Sequence, residues 1–225
     1  MDKSRTEALL GKENIEKLSK KRITIVGTGG VGGYVAIMLA RAGIENLKLI
    51  DFDVVSSSNI NRQVVARTNT LGRAKVEVLK EDLLLINENL KIEAINAKLD
   101  SANLEKYIRA VDYVVDAIDC VNDKVALIIY CKRKGINIIS AMGAGNRYDI
   151  PQFYLTDIYK THDDGLAKVV RKKLREEGIK NLDVVTCNSK PLKVEGVIGS
   201  ISYYPATCGC VLAGAIINKI IEEEL

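Results

Sequence analysis

The stretch ITIVGTGGVGGYVAIMLARAGIENLKLIDFD, residues 23 to 53, decides the fold. An apolar, β-rich run (Ile23, Ile25, Val26) meets a glycine-rich turn. An apolar-periodic segment follows (Val35, Leu39, Ala42). A second apolar run (Leu47, Leu49, Ile50) then ends at Asp51. Strand, glycine turn, helix, strand and acid, in that order, predict the opening βαβ unit of a Rossmann-like, doubly wound α/β fold. Gly27, Gly29 and Gly32 have G-x-G-x-x-G spacing, with Gly30 in the same turn. The first glycine permits the tight turn. The second lets a phosphate approach the backbone, and the third lets helix and strand pack closely. The helix N-terminus then faces an anion. Asp51 lies about 20 residues on, where a ribose-binding acid belongs. The flanking elements favour a nucleotide site over a merely structural turn, but they do not say which nucleotide.

The 225 residues suffice for one α/β domain with a substantial core. Nothing in the composition divides the chain. It reads as one domain, with a helical segment over 1–20, a nucleotide-binding core over 21–145 and a substrate-side extension over 146–225. No apolar run looks long enough for a membrane helix. The charged N-terminus lacks an apolar signal core, which implies a cytoplasmic protein. Five scattered cysteines without a C-x-x-C pair read as reduced thiols and argue against a four-cysteine zinc site. The net charge of +4 is too small to imply nucleic-acid binding by itself.

In chain order, residues 1–20 read as helix interrupted at Gly11, with Arg5 as a solvated helix charge. After Asp51 and Asp53 comes a polar stretch on the carboxyl edge of the sheet, where open α/β folds bind ligands. There Asn59, Asn61, Arg62 and Gln63 offer groups suited to phosphate and ribose oxygens. An ordinary Ser/Asn-rich loop is the plainer alternative. Thr70 is the expected N-cap of a helix over 71–87. Lys75 in its first turn opposes the helix dipole, which favours a lysine aimed at phosphate. Residues 91–97 read as a strand, 101–109 as a short helix and 111–119 as a buried strand ending in Asp116 and Asp119. Asp119 fits either a cap of the next helix (122–134) or a magnesium ligand facing phosphates. Strand 137–141 leads to a glycine loop, 143–146, which is either a substrate entry or a plain turn. Strands near 153–158, 182–187 and 197–202, a helix over 167–177 and an apolar helix after Pro205 complete the pattern. They predict a mostly parallel sheet with helices on both faces and a C-terminal antiparallel extension. The basic run Lys168, Arg171, Lys172, Lys173, Arg175 fits a solvated face or a polyanion contact.

Together, the glycine turn, Asp51-Phe-Asp53, Asn59-Ile-Asn-Arg62-Gln63, Lys75 and Asp116-Ala-Ile-Asp119 resemble the ThiF-type, ubiquitin-activating-like adenylyltransferases. The segments 156–175 and 199–206 resemble the TcdA branch, the tRNA threonylcarbamoyladenosine dehydratases. That resemblance implies ATP and magnesium as cofactors, tRNA as partner and a homodimer. Asp51 would hold the ribose, with Asp53, Asn59, Asn61 and Gln63 around the nucleotide. Gly27, Gly29, Gly30 and Gly32 would accept phosphates, Arg62 and Lys75 would stabilise developing charge, and Asp119 would bind magnesium. Arg5 would reach the partner's triphosphate, and the 168–175 run would grip tRNA. Ring closure would be intramolecular, so no cysteine is required; Cys187 is the thioester candidate if one exists. The runner-up is an adenylyltransferase for a ubiquitin-like sulfur carrier protein. A plain NAD-dependent oxidoreductase rests on the glycine motif alone.

Overall fold

In β1 (Arg22–Val26), Ile23 and Ile25 point into one apolar core while Val26 points into another. A strand buried on both faces needs helices above and below it, and the chain supplies both layers. The computed structural model describes residues 1–223. Before β1 come α1 (Ser4–Leu10) and α2 (Lys12–Lys20), broken at Gly11. After it come α3 (Gly32–Ala42), β2 (Asn46–Asp51), α4 (Lys75–Ile86) and β3 (Lys91–Asn96). Then follow α5 (Leu104–Tyr107), β4 (Tyr113–Asp116), α6 (Val121–Lys134) and β5 (Asn137–Ala141). The last elements are β6 (Phe153–Asp157), α7 (Gly165–Glu176), β7 (Asp183–Cys187) and α8 (Tyr203–Glu222).

The seven strands lie in the order β3-β2-β1-β4-β5-β7-β6. Every pair is parallel except β6 with β7. The predicted Rossmann-like architecture, with its antiparallel C-terminal edge, is therefore observed. The chain leaves β3 and returns on the far side of β1 as β4. This reversal opens a crevice at the carboxyl ends of β1 and β4, where ligands of open α/β folds sit. One core layer joins α2, α3, α4 and α8 to the sheet, and the other joins α5, α6 and α7.

Several local expectations fail for identifiable reasons. Thr70 does not cap α4. It ends a 3₁₀ turn (Thr68–Thr70), and its hydroxyl accepts from Arg67 N–H and donates to the Val65 carbonyl at 2.7 Å. That local bond holds the chain away from helix until Lys75. No strand forms over 197–202; this segment approaches α8 as irregular chain. Pro205 lies inside the first turn of α8 rather than before it, where its missing N–H removes no helical bond. α8 also overturns the expectation that no segment has membrane-helix proportions, since its 20 residues are long and apolar enough. It packs instead along α3, with Cys208, Leu212, Ala213 and Ile216 in the core. A helix apolar on most sides serves as the central helix of a core.

Candidate nucleotide-binding site

The glycine turn closes over the ends of its neighbours. Gly27 N–H donates to the Ile50 carbonyl at 2.8 Å, and Ala117 N–H donates to the Val26 carbonyl at 2.9 Å. Gly27 has φ +86°, and a Cβ there would lie 2.6 Å from the Ala117 carbonyl oxygen. A Cβ on Gly32 would lie 1.8 Å from the Gly27 carbonyl oxygen. Only glycine allows the turn and helix to meet this closely. No side chain caps the start of α3. The turn therefore presents main-chain N–H groups toward the crevice, together with the positive end of the helix dipole.

Asp51 is tied to this turn. One carboxylate oxygen accepts from Thr28 N–H at 2.7 Å and from the Thr28 hydroxyl at 3.0 Å, and the other accepts from Asp53 N–H at 2.9 Å. Sequence reasoning missed Thr28, which is fully buried. The available signal was its small hydroxyl inside the glycine run, one residue beyond the tight turn. Lys75 is 4% exposed, and its ammonium donates to Asp53 at 2.7 Å. Its departure from dipole preference is thus compensated by a carboxylate on the neighbouring strand end. The pair still sits on the carboxyl edge beside the turn.

The polar stretch after β2 is an excursion closed at its base. Val55 N–H donates to the Arg73 carbonyl at 2.8 Å, and Lys75 N–H donates to the Asp53 carbonyl at 3.0 Å. Its tip folds over the turn: Val64 crowds Gly33, and the Gln63 amide lies next to Gly29. Gln63 is buried, and its carbonyl oxygen has no partner among the described residues. An unbonded buried acceptor is costly, and a ribose hydroxyl or a base amino group would satisfy it. Arg62 donates to the Ser58 carbonyl at 2.8 Å and to Asn61 at 2.9 Å, while its aliphatic stem lies near Gly30. Asn61 donates to the Ser200 carbonyl at 3.0 Å, and Pro205 packs against Gly30. The second half of the chain therefore forms one wall of the crevice. Asn59 is buried, and its side-chain oxygen caps Ser56 N–H at 3.1 Å, shaping the excursion from within.

The two acids after β4 part company. Asp116 is fully buried and bonded to Lys124 at 2.7 Å; Lys124 also donates to the Ala141 carbonyl at 3.0 Å. The other Asp116 oxygen accepts from Ile118 N–H at 3.1 Å. Asp116 is thus not directed at phosphate. It fastens the turn that carries Asp119. Lys124, unmarked in the sequence reading, lies on the α6 face that also buries Val125, Leu127 and Ile128. A lysine among such positions was the signal. Asp119 is exposed and does not cap α6, whose N-cap is Cys120. One accessible carboxylate beside a phosphate-binding turn fits magnesium, which binds through one or two carboxylates plus substrate phosphates.

The remaining expected residues lie elsewhere. Arg5 is exposed on α1, whose preceding Lys3 pairs with Glu45 at 2.6 Å, at the amino end of β2. Within one chain it stands at the sheet edge opposite the glycine turn. Arg171 is a structural anchor, donating to the Thr161 carbonyl and hydroxyl at 2.8 and 2.5 Å. Lys173 donates to Asn122 at 3.1 Å, and Arg175 stacks over the Tyr159 ring at 5.3 Å. Lys168 and Lys172 remain exposed. The 143–146 loop is pinned: Gly143 N–H donates to Asp164 at 2.9 Å, and Asn146 N–H donates to the Gly199 carbonyl at 2.7 Å. Cys187 is fully buried, with its sulfur 3.6 Å from the Tyr204 hydroxyl. It presents no accessible nucleophile.

A doubly wound sheet with a glycine-rich turn at its switch point, and Arg62, Lys75 and Asp119 near that turn, is the architecture of a nucleotide-binding protein. The chain belongs to the ThiF family, whose model matches residues 3–224. It is 32% identical to the tRNA threonylcarbamoyladenosine dehydratase of Bacillus subtilis, over 98% of this chain and 94% of that protein. The Escherichia coli dehydratase TcdA, solved in complex with ATP, superposes with a TM-score of 0.92 at 34% identity. That match covers 97% of this chain and 93% of the other. A molybdopterin-synthase adenylyltransferase of Haemophilus influenzae is 38% identical, over 70% of this chain and 64% of its own length.

Proposed function

We propose that the chain is an ATP-dependent tRNA threonylcarbamoyladenosine dehydratase. The observation that carries this reading is the extent of the likeness. The dehydratase match runs through both halves of the chain, while the carrier-protein adenylyltransferase match spans 70% of it. The crevice wall contributed by Ser200 and Pro205 comes from the second half of the chain.

In this reading the threonyl carboxylate of the modified adenosine attacks the α-phosphorus of ATP. The bond to pyrophosphate breaks, leaving an acyl-adenylate. A nucleophile within the same side chain then closes the ring and expels AMP, so the nucleoside has lost one water. The intramolecular second step gains from a high effective concentration, which is why a buried Cys187 is no obstacle. The N–H groups at Gly29, Gly30 and Gly32 hold the phosphates, and Asp51 and Gln63 receive the ribose and base. Arg62 and Lys75 place positive charge where negative charge develops. Asp119 is the residue that would hold magnesium, which would supply further neutralisation of phosphate charge. Arg5 acts on the site of a second subunit, so the working unit is a homodimer. The site belongs to a single domain acting on tRNA in the cytoplasm.

The test is incubation with ATP, magnesium and total tRNA, followed by mass analysis of the nucleosides. Threonylcarbamoyladenosine is expected to fall in mass by one water. No change there, with pyrophosphate exchange dependent on a carrier protein, would overturn the proposal in favour of a sulfur-carrier adenylyltransferase.

A further inference from the structure

The opposite, amino edge of the sheet carries a cavity of about 700 Å³ that the nucleotide site does not use. It exists because α5 is a single turn of four residues, too short to cover β2 and β3. Arg22, Lys48, Lys91, Lys106 and Arg109 line it, against one carboxylate, Glu93. Positive side chains therefore outnumber acidic ones in the lining of this recess.

The cations are not equivalent. Arg22 is engaged by Asp112 at 3.2 Å, and Lys48 by Glu93 at 3.1 Å and by the Tyr107 carbonyl at 3.3 Å. Lys106 lies 4.8 Å from the centre of the Tyr107 ring. Lys91 and Arg109 are exposed and lack a carboxylate partner among the described residues. Arg109 is followed by Ala110 at φ 52°, a left-handed conformation rare for a residue with a Cβ. Ala110 forms part of the same wall. The tight step brings Arg109 to the mouth of the recess. Beyond α5 the cations are already paired, Lys134 with Glu105 at 3.5 Å and Arg133 with Glu177 at 2.7 Å, which leaves Lys91 and Arg109 as the cations open to a ligand.

We propose that this recess is an RNA-backbone exosite, in which Lys91 and Arg109 hold phosphates and Tyr107 offers a ring for an unpaired base. Cations tracking an edge beside an aromatic ring are the usual means of holding single-stranded nucleic acid. The spread of Lys91, Lys106 and Arg109 around the recess suits a chain of phosphates better than one compact anion. One strand length, about 17–20 Å, separates this edge from the nucleotide crevice, so an RNA held here can deliver a distant nucleoside to the chemistry. The proposal rests on the tRNA reading above. It replaces the α7 face, where Arg171 and Lys173 are already committed, as the principal contact.

The experiment compares wild-type protein with the double variants Lys91→Glu/Arg109→Glu and Lys91→Gln/Arg109→Gln. Each is titrated with unfractionated tRNA and with a short single-stranded oligoribonucleotide across a salt series. ATP binding and thermal melting serve as folding controls. Both variants should bind ATP as wild type does, and the slope of log affinity against log salt should shrink by about 1 to 2. An unchanged slope overturns the exosite, even if the wild-type enzyme dehydrates tRNA. A slope that depends on these residues, in a protein that leaves threonylcarbamoyladenosine intact, keeps the exosite and removes the assigned reaction. Calorimetric binding of inorganic pyrophosphate that is lost in both variants, with RNA binding unaltered, would make the recess a small-anion site and overturn the RNA proposal.

Discussion

Asp116 and Lys124 are both fully buried and face one another at 2.7 Å. Removing one partner from such a pair strands the other charge, which typically costs ~3–5 kcal/mol. Lys124→Met should destabilise the protein by that order in denaturant unfolding, and a loss below ~1 kcal/mol would show that the pair is not a structural fastener. Its ATP affinity should also fall, because Asp116 holds the Ile118 N–H beside the turn that carries Asp119. Gly32→Ala makes a different kind of demand. Its Cβ would stand 1.8 Å from a main-chain oxygen that no side-chain rotation can relieve. We expect ATP binding by calorimetry to weaken at least tenfold, and an affinity within twofold of wild type would refute the close-packed turn. The sequence placed Asp116 and Asp119 together at the end of a strand over 111–119, but the strand stops at Asp116 and Asp119 follows in the turn. The sequence did not show which was inward, because strand alternation and the Lys124 partner are settled across the α6–sheet contact.

At the scale of elements, α7 and β7 carry the largest revisions. The basic face of α7 looked continuous in the sequence, but Arg171 turns back to tie Thr161 and the 3₁₀ turn Ile158–Lys160 to the helix. Side chains as long as arginine choose their partners from tertiary neighbours, and periodicity is blind to that choice. β7 is an interior strand between β5 and β6, so Cys187 is sealed against Tyr204. Cys187→Ala should therefore retain dehydration within about threefold, in line with intramolecular closure. Complete loss in a folded variant, judged by circular dichroism, would instead demand a covalent enzyme step. Thr70 gives a similar lesson. A hydroxyl before an apolar-periodic run was read as a helix cap, but a local turn captured it first.

For the whole molecule, burial sets an alkaline limit. Burial raises the Cys131 thiol from its ordinary value of about 9 up to about 12, with the nearby Asp116 carboxylate adding to the rise. Between those values the unfolded chain releases a proton that the folded chain retains. Stability is then full below about pH 9 and falls as pH rises toward 12, by about 1.4 kcal/mol per pH unit for one such thiol. Burial also raises Cys208 and Tyr204, which steepens the decline. Melting measured at pH 8 and pH 10 should show this loss, and Cys131→Ala should lessen it by roughly one proton's worth; an identical slope would discount the thiol. The opening βαβ unit, the strand succession and the glycine turn were legible in the amino-acid sequence, because short-range patterns encode them: period-two and helical apolar spacing, and glycines where no Cβ fits. The excursion after Asp51 was legible as polar chain on the correct edge. Only the tertiary structure decided that Asp53 holds Lys75, that Asp116 is buried and that Pro205 and Ser200 wall the crevice. It likewise placed Arg5 at the far edge and brought Lys91, Lys106 and Arg109 together beside the short α5. These outcomes depend on which distant segments meet. Contacts between residues far apart in the chain arise from packing the whole sheet between its two helical layers, and no local spacing records them.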